Sequence, residues 1–317
     1  MEEFKVSVEL GMSQVRLGVL DEFAMMILFG NYHSQFLTKD VKNNPSQIKD
    51  GKGNILYPAY FMTHLQVPIQ KTLNRYQLWD RMELQVDCKR YGDTILESKY
   101  QAQSALDTEK FPITMNANSL FILDPAIYRS HKKQVSVPDA KTISEMEKLA
   151  MPPESIRDAA QIRTKEFADA SAMNIVAPVF KYRLESGRDT DPGHPLVFAK
   201  MPDIMAMGER ELLRYFTQHR ISEEVLDCVC LLERKTFYYA NAFAGSELSL
   251  FSKCFVEPLQ KSLWPENPRF NYLCRIVFQT EMYDAGELLA ISRAEKVIVC
   301  EMKDQMLMQD IKRLFIR

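Results

Sequence analysis

Glycine is scarce in this chain, 11 in 317 residues, and none of it builds a phosphate-cradling loop that ends in Lys-Ser or Lys-Thr, so P-loop nucleotide chemistry has no support. Gly-x-Ser-x-Gly and His-Glu-x-x-His are both missing, which takes serine hydrolases of the α/β class and zinc proteases out of easy reach. No stretch approaches the ~20 consecutive apolar residues needed to cross a bilayer, and no membrane partner is expected. Neither sign of charge dominates: 40 Lys and Arg face 42 Asp and Glu, a net charge of −2. That balance gives no field to hold a polyanion, and no nucleic-acid partner is expected. The six cysteines, Cys88, Cys228, Cys230, Cys254, Cys274 and Cys300, lack the paired spacing of a disulfide scaffold or zinc ribbon and read as reduced core thiols. Cys228-Val-Cys230 comes nearest to a metal motif, but no histidine or further cysteine stands close in sequence, so no metal is expected. The opening MEEFKVSVEL starts acidic where a secretory signal starts basic and continues apolar. The expected compartment is the cytoplasm.

What is present is an ordinary globular composition, 46% apolar and 26% charged, in a length that suits two domains or one double-sized fold at ~150 residues each. KVSVEL reads as a short strand. From Gly18 to Leu37 the sequence GVLDEFAMMILFGNYHSQFL is apolar on every side, as a helix wrapped by other structure must be. Asp21 and Glu22 open it, where carboxylates suit the positive end of the helix dipole or cap the first turn. After a polar loop come segments with the alternating β-branched and aromatic residues of antiparallel sheet: NILYPAYFMTHLQVP, RMELQVDCKRYGDTILESKYQAQ and FPITMNANSLFIL. Arg90-Tyr91-Gly92-Asp93 reads as a hairpin reversal with glycine in the left-handed conformation.

A polar, proline-bounded stretch between about Pro125 and Pro153 reads as a linker. Beyond it the order returns: a strand in ADASAMNIVAPVFKYRLES, a second apolar helical segment in HPLVFAKMPDIMAMGERELLRYFTQ, then three strand stretches. Arg81-Met82-Glu83-Leu84-Gln85-Val86 resembles Gly245-Ser246-Glu247-Leu248-Ser249-Leu250, as tandem duplication of one helix-in-sheet unit predicts. The expected organisation is a first unit over residues 1–125, a linker over 126–155 and a second unit over 156–317.

A helix swaddled by a long antiparallel sheet, present twice, looks like an α+β double hot-dog. GMSQVRLGVLDEF, ILYPAYF, HPLVFAKMPDI and LLERKTFYYANAFAGSEL lie in order across both halves. Together they resemble the LnmK-type double hot-dog acyltransferase/decarboxylases of polyketide biosynthesis. The resemblance implies that a malonyl- or methylmalonyl-type acyl-CoA is decarboxylated and the acyl group passed to an acyl carrier protein. It implies no cofactor, acyl-CoA being the substrate. The family's acyl-bearing tyrosine maps onto Tyr57 in ILYPAYF, with Tyr60 three residues on.

Decarboxylation leaves a thioester enolate, whose oxygen needs fixed donors in a dry site. Helix N–H groups near Gly18 to Asp21 suit that oxygen. The Asn241 amide, Tyr239, and Thr114 and Asn116 in ITMNANS are candidate substrate-binding groups. Tyr238 and Tyr239 alternate, so at most one faces a given pocket. Two other readings stay open. Hot-dog dehydratase or thioesterase chemistry would pair His194 with Asp21 or Glu22, as base and acid. A non-catalytic protein would only bind an acyl carrier. Carriers are acidic, and Arg129-Ser130-His131-Lys132-Lys133 offers a basic cluster to receive one, or else a solvated linker run. Two units in one chain supply the interface that single units obtain by pairing, so a monomer or a homodimer is expected.

Overall fold

The computed structural model describes residues 4–11, 15–16, 19–41, 48–106, 111–123, 133–139, 146–153, 156, 175–190, 195–258, 270–301 and 303–315. The first half opens with strand β1 (Phe4–Glu9) and the small pair β2 (Val15–Arg16) and β3 (Val19–Leu20), then helix α1 (Glu22–Val41). Asp21 caps that helix, its Oδ1 accepting from the Ala24 N–H at 2.7 Å. Ala24, Met25, Met26, Leu28 and Phe29 are all buried, as the apolar run requires. Strands β4 (Leu56–Gln66), β5 (Arg81–Tyr91), β6 (Ile95–Ser104) and β7 (Ile113–Leu123) follow. β5 and β6 alternate buried and more exposed residues along their lengths, so one face lies against α1 and the other looks outward. Their hairpin turns where the sequence predicts, with Gly92 at φ +59°.

The second half repeats the plan with β8 (Ile175–Val176), β9 (Phe180–Arg183), α2 (Lys200–Phe216), the short helix α3 (Glu223–Asp227), β10 (Val229–Tyr238), β11 (Glu247–Pro258), β12 (Phe270–Asp284), β13 (Glu287–Glu301) and a closing helix α4 (Gln305–Phe315). Met201, Ile204, Met205, Leu212 and Leu213 form the buried face of α2. They share one core with the inward residues Leu248, Leu250 and Cys254 of β11. The six cysteines are free thiols, five of them buried. Burial pushes the Cys254 and Cys274 thiols up to about 12, so neither is a thiolate at neutral pH.

The strand order of the main sheet is β1-β5-β6-β7-β4-β10-β13-β12-β11-β8, with β9 also on β11. Each half therefore runs its strands in the same sequence from edge to seam. The helix-following strands β4 and β10 join the halves antiparallel, from Glu233 opposite Gln66 to Phe237 opposite Met62. The related hexapeptides Arg81–Val86 and Gly245–Leu250 fall on β5 and at the start of β11, which hold corresponding places in the two halves. Described parts of the linker lie on the first half. Ser136 N–H donates to Phe121 O at 3.0 Å, Leu149 N–H to Arg90 O at 2.8 Å, and Arg90 Nε to Met146 O at 3.3 Å. Among the described residues no helix is long and apolar enough to cross a membrane.

Candidate active site at the seam between the halves

Arg234 of β10 reaches the start of α1, and four charged side chains gather there in the interior. Arg234 of β10, 1% exposed, sends Nη1 and Nη2 to the two carboxylate oxygens of Glu209 on α2 at 2.7 and 2.9 Å. Nη1 also donates to Ser292 Oγ at 3.1 Å. Lys296 of β13 places its Nζ 2.7 Å from Glu209 Oε2. On the other side, Arg234 Nε lies 2.6 Å from Oε1 of Glu22, the first residue of α1, without the alignment of a hydrogen bond. Two cations thus face two carboxylates, and the buried charge sums to zero, as an interior demands.

The two carboxylates are not equivalent. Burial favours the neutral form of both, but Arg234 and Lys296 bind Glu209 with charge and aligned hydrogen bonds, holding it below the usual carboxylate range. For Glu22 the same burial prevails over the attraction of Arg234 and Lys296, and the nearby Glu209 adds to it, so its pKa is raised. Burial also works against the charged form of Arg234, but Glu209 and Glu22 outweigh it and push the guanidinium further up. Environments that drive two carboxyls apart are those in which one stays ionised while the other can exchange a proton.

Beside this cluster Tyr238, at the end of β10, shares a 3.0 Å hydrogen bond between its hydroxyl and Thr63 Oγ1 of β4. Burial raises its phenol, and Glu22 and Arg234 both act on it electrostatically. Beyond the last β4–β10 pair, Lys133 spans the gap. Its Nζ donates to the carbonyls of Tyr60 and Tyr238 at 2.5 and 2.9 Å and stands 5.7 Å from the centre of the Tyr238 ring. Burial brings this ammonium down to about 7. Of the basic run considered for a carrier, Lys133 turns inward onto two carbonyls, and residues 129–132 lie outside the described residues.

The other residues picked out from the sequence fall in two places. Tyr57, 37% exposed, lies opposite Ile122, whereas Thr114 lies opposite Gln66 and Asn116 opposite His64. From Tyr57 to Gln66 is roughly 30 Å along β4 at the usual rise per residue, so the structure does not bring Thr114 to Tyr57. Thr114 Oγ1 donates instead to Gln66 Oε1 at 3.4 Å, and Asn116 is exposed. Tyr239 and Asn241 follow the end of β10; Tyr239 is 37% exposed and Asn241 is buried. Asp21 uses its carboxylate to cap the Ala24 N–H, and of the N–H groups considered for an enolate oxygen, that of Leu20 donates to Tyr76 O at 3.1 Å. His194 lies outside the described residues. Nothing along the chain singles out Arg234: in Glu233-Arg234-Lys235 it looks like one charge in a polar run, and only its place in the strand turns it inward.

His33 of α1 is buried at 2% exposure beneath the sheet. Burial lowers its pKa from 6.5 to about 4, so the fold holds it neutral while the unfolded chain protonates it near 6.5. Its contribution to stability is full above about 6.5 and is lost as the pH falls towards 4. That difference is worth about 3 kcal/mol. Urea midpoints measured from pH 7 to pH 4 are expected to fall less steeply in His33→Phe than in the parent; parallel curves would show that His33 does not titrate in this way.

The sequence matches no protein-family model and no curated protein. Solved structures do match. A Lactobacillus plantarum protein assigned as an oleoyl thioesterase superposes with a TM-score of 0.61 at 7% identity, over 93% of this chain and 96% of that one. An acyl-ACP thioesterase from Bacteroides thetaiotaomicron gives 0.56 at 9% identity, over 93% and 97%. The fold is a double hot-dog. A 12:0-ACP thioesterase from Umbellularia californica gives 0.50 at 12% identity, over 93% and 95%. Each hot-dog unit here is one helix with its share of the common sheet, and the charged cluster lies where the two units meet.

Proposed function

We propose that this double hot-dog hydrolyses acyl thioesters in the cytoplasm, presented as acyl-CoA or on the phosphopantetheine arm of an acyl carrier protein. Glu22 carries the reading. It is a carboxyl at the seam, at the start of the hot-dog helix, with its pKa raised toward the range where a general base works best. Glu22 takes a proton from water as the water oxygen attacks the thioester carbonyl. The carbon–sulfur bond then breaks, and the leaving thiolate recovers the proton. Arg234 positions Glu22, while the Tyr238 hydroxyl and the Lys133 ammonium are the donors nearby for the oxyanion. The thioesterase names of the structures that share this fold support the same class of substrate. One chain holds both units and their seam, so a monomer suffices.

A second reading is decarboxylation of a malonyl- or methylmalonyl-type acyl-CoA with transfer to an acyl carrier protein in polyketide biosynthesis, Tyr57 carrying the acyl group. One observation favours Tyr57 in it: of the two tyrosines in ILYPAYF, Tyr57 is accessible, whereas Tyr60 is buried and its phenol is raised by desolvation. The readings separate when the protein is incubated with unsubstituted acyl-, malonyl- and methylmalonyl-CoA, with and without a phosphopantetheinylated carrier. Thiol release with free acid supports hydrolysis. A decarboxylated acyl thioester and a protein adduct, both lost in Tyr57→Phe, would support transfer, and neither product from folded protein would remove both.

A further inference from the structure

The two units open their long helices differently. Glu22 is the first residue of α1, whereas the first residue of α2 is Lys200, and the buried carboxylate of α2 comes further along, at Glu209. The seam cluster therefore joins one carboxyl of the first unit to three charged groups of the second, Glu209, Arg234 and Lys296.

Glu209 engages both cations. It accepts from Nη1 and Nη2 of Arg234 side by side, at 2.7 and 2.9 Å, and has Lys296 Nζ 2.7 Å from its Oε2. A forked contact of this kind is among the strongest that a guanidinium makes. The Nε of Arg234 is what remains towards Glu22, 2.6 Å away and out of line for a hydrogen bond. With Glu209 ionised, Glu22 has two positive neighbours and one negative. Without Glu209 it would have the two positive ones alone, and without Lys296 one of each sign. In an interior, where water does little to blunt them, such changes move a carboxyl's hold on its proton.

The other polar groups around Glu22 are engaged elsewhere or neutral. Asp21, one residue ahead, accepts from the Ala24 N–H. Lys200 of α2, 5.1 Å from the ring of Phe23, is held by Asp203 at 2.6 Å. Tyr238 of β10 is a phenol that burial keeps neutral. Burial itself raises the pKa of Glu22; Arg234 and Lys296 act against it, and Glu209 acts with it.

We propose that the second unit governs the base strength of Glu22 in the first: Glu209 sustains it by engaging Arg234 and Lys296, and Lys296 restrains it. Glu209 and Lys296 are positioning residues in this scheme and touch no substrate. The proposal rests on the reading of Glu22 as the general base and adds how the pH range of that base is set.

The test is a pH titration of the Glu22 carboxyl by carbon-13 NMR, its signal identified by its loss in Glu22→Gln, together with the pH profile of kcat/KM for acyl-CoA hydrolysis. In Glu209→Gln the Glu22 midpoint is expected about one pH unit below that of the parent, and in Lys296→Met about one pH unit above it. The acid limb of kcat/KM should move the same way in each. The double change Glu209→Gln with Lys296→Met leaves Glu22 one net positive neighbour, as in the parent, and should bring the midpoint back. A merely structural role would disturb both single variants alike, since each leaves a buried charge without its partner. If Glu209→Gln does not fold, the double variant set against Lys296→Met makes the same comparison. Midpoints that stay in place, or that move in one direction in both single variants, overturn the inference and leave the thioesterase reading standing. A parent protein that hydrolyses no acyl thioester removes that reading, while the titration still decides whether the second unit controls the Glu22 proton.

Discussion

Glu22→Gln is expected to lower thioester hydrolysis by about 10²–10⁴-fold, the span that removal of a positioned general base produces, while circular dichroism and the sedimentation profile stay those of the parent. The glutamine keeps the size and the contact with Arg234 and loses only the ability to take a proton. Because turnover needs Glu22 ionised, activity should fall as the pH drops through its pKa. Burial raises that pKa, so the acid limb lies above the ordinary carboxylate range. Hydrolysis within twofold of the parent in Glu22→Gln would place the base elsewhere.

The second large effect is on folding. Arg234→Ala should destabilise the protein by about 3–5 kcal/mol, because it leaves Glu209 and Glu22 buried with Lys296 alone to balance them. Chemical denaturation measures it directly. Part of the loss comes from the space the side chain filled, since Arg234 is among the largest side chains with almost no exposure. Arg234→Met, which fills much of that space, isolates the electrostatic part. Adding Glu22→Gln to Arg234→Met should cost less than the sum of the two single changes, because one unpaired charge is removed with its cause. A loss under about 1 kcal/mol for Arg234→Ala would mean that water reaches the cluster and screens it.

The two predictions rest on one cluster, and little of it can be read along the chain. Asp21 and Glu22 are neighbours in sequence with the same chemistry, and both suit a helix start. In the fold Asp21 caps Ala24, whereas Glu22 turns to a strand 212 positions later and meets Arg234. Helix geometry separates two adjacent residues by about 100°, and only the reach of Arg234 from β10 to that turn gives the difference a meaning. Lys133 teaches the same point in the opposite direction. Among basic neighbours it reads as solvated, yet its ammonium ends on the carbonyls of Tyr60 and Tyr238, because β4 and β10 part there and leave those oxygens outside the ladder. Thr114 and Tyr57 look like members of one polar pocket until the register shows them at opposite ends of β4.

Local pattern was enough for the elements. The apolar run after Asp21 could only be a wrapped helix, and the alternation in RMELQVDCKRY could only be a strand with one buried face, since side-chain direction follows the backbone period. The order helix then strands, met twice, carried the double unit, because consecutive antiparallel strands pair through short connections. The sequence by itself therefore determined the two long helices, most of the strands and their duplication, but not the short helix Glu223–Asp227 or the closing helix Gln305–Phe315. Tertiary structure alone decided which charged residues go inside, for a buried charge is tolerable only where its partner waits, and the partners come from four separate elements: Glu209, Arg234 and Lys296 meet within the second unit, and Glu22 reaches them from the first.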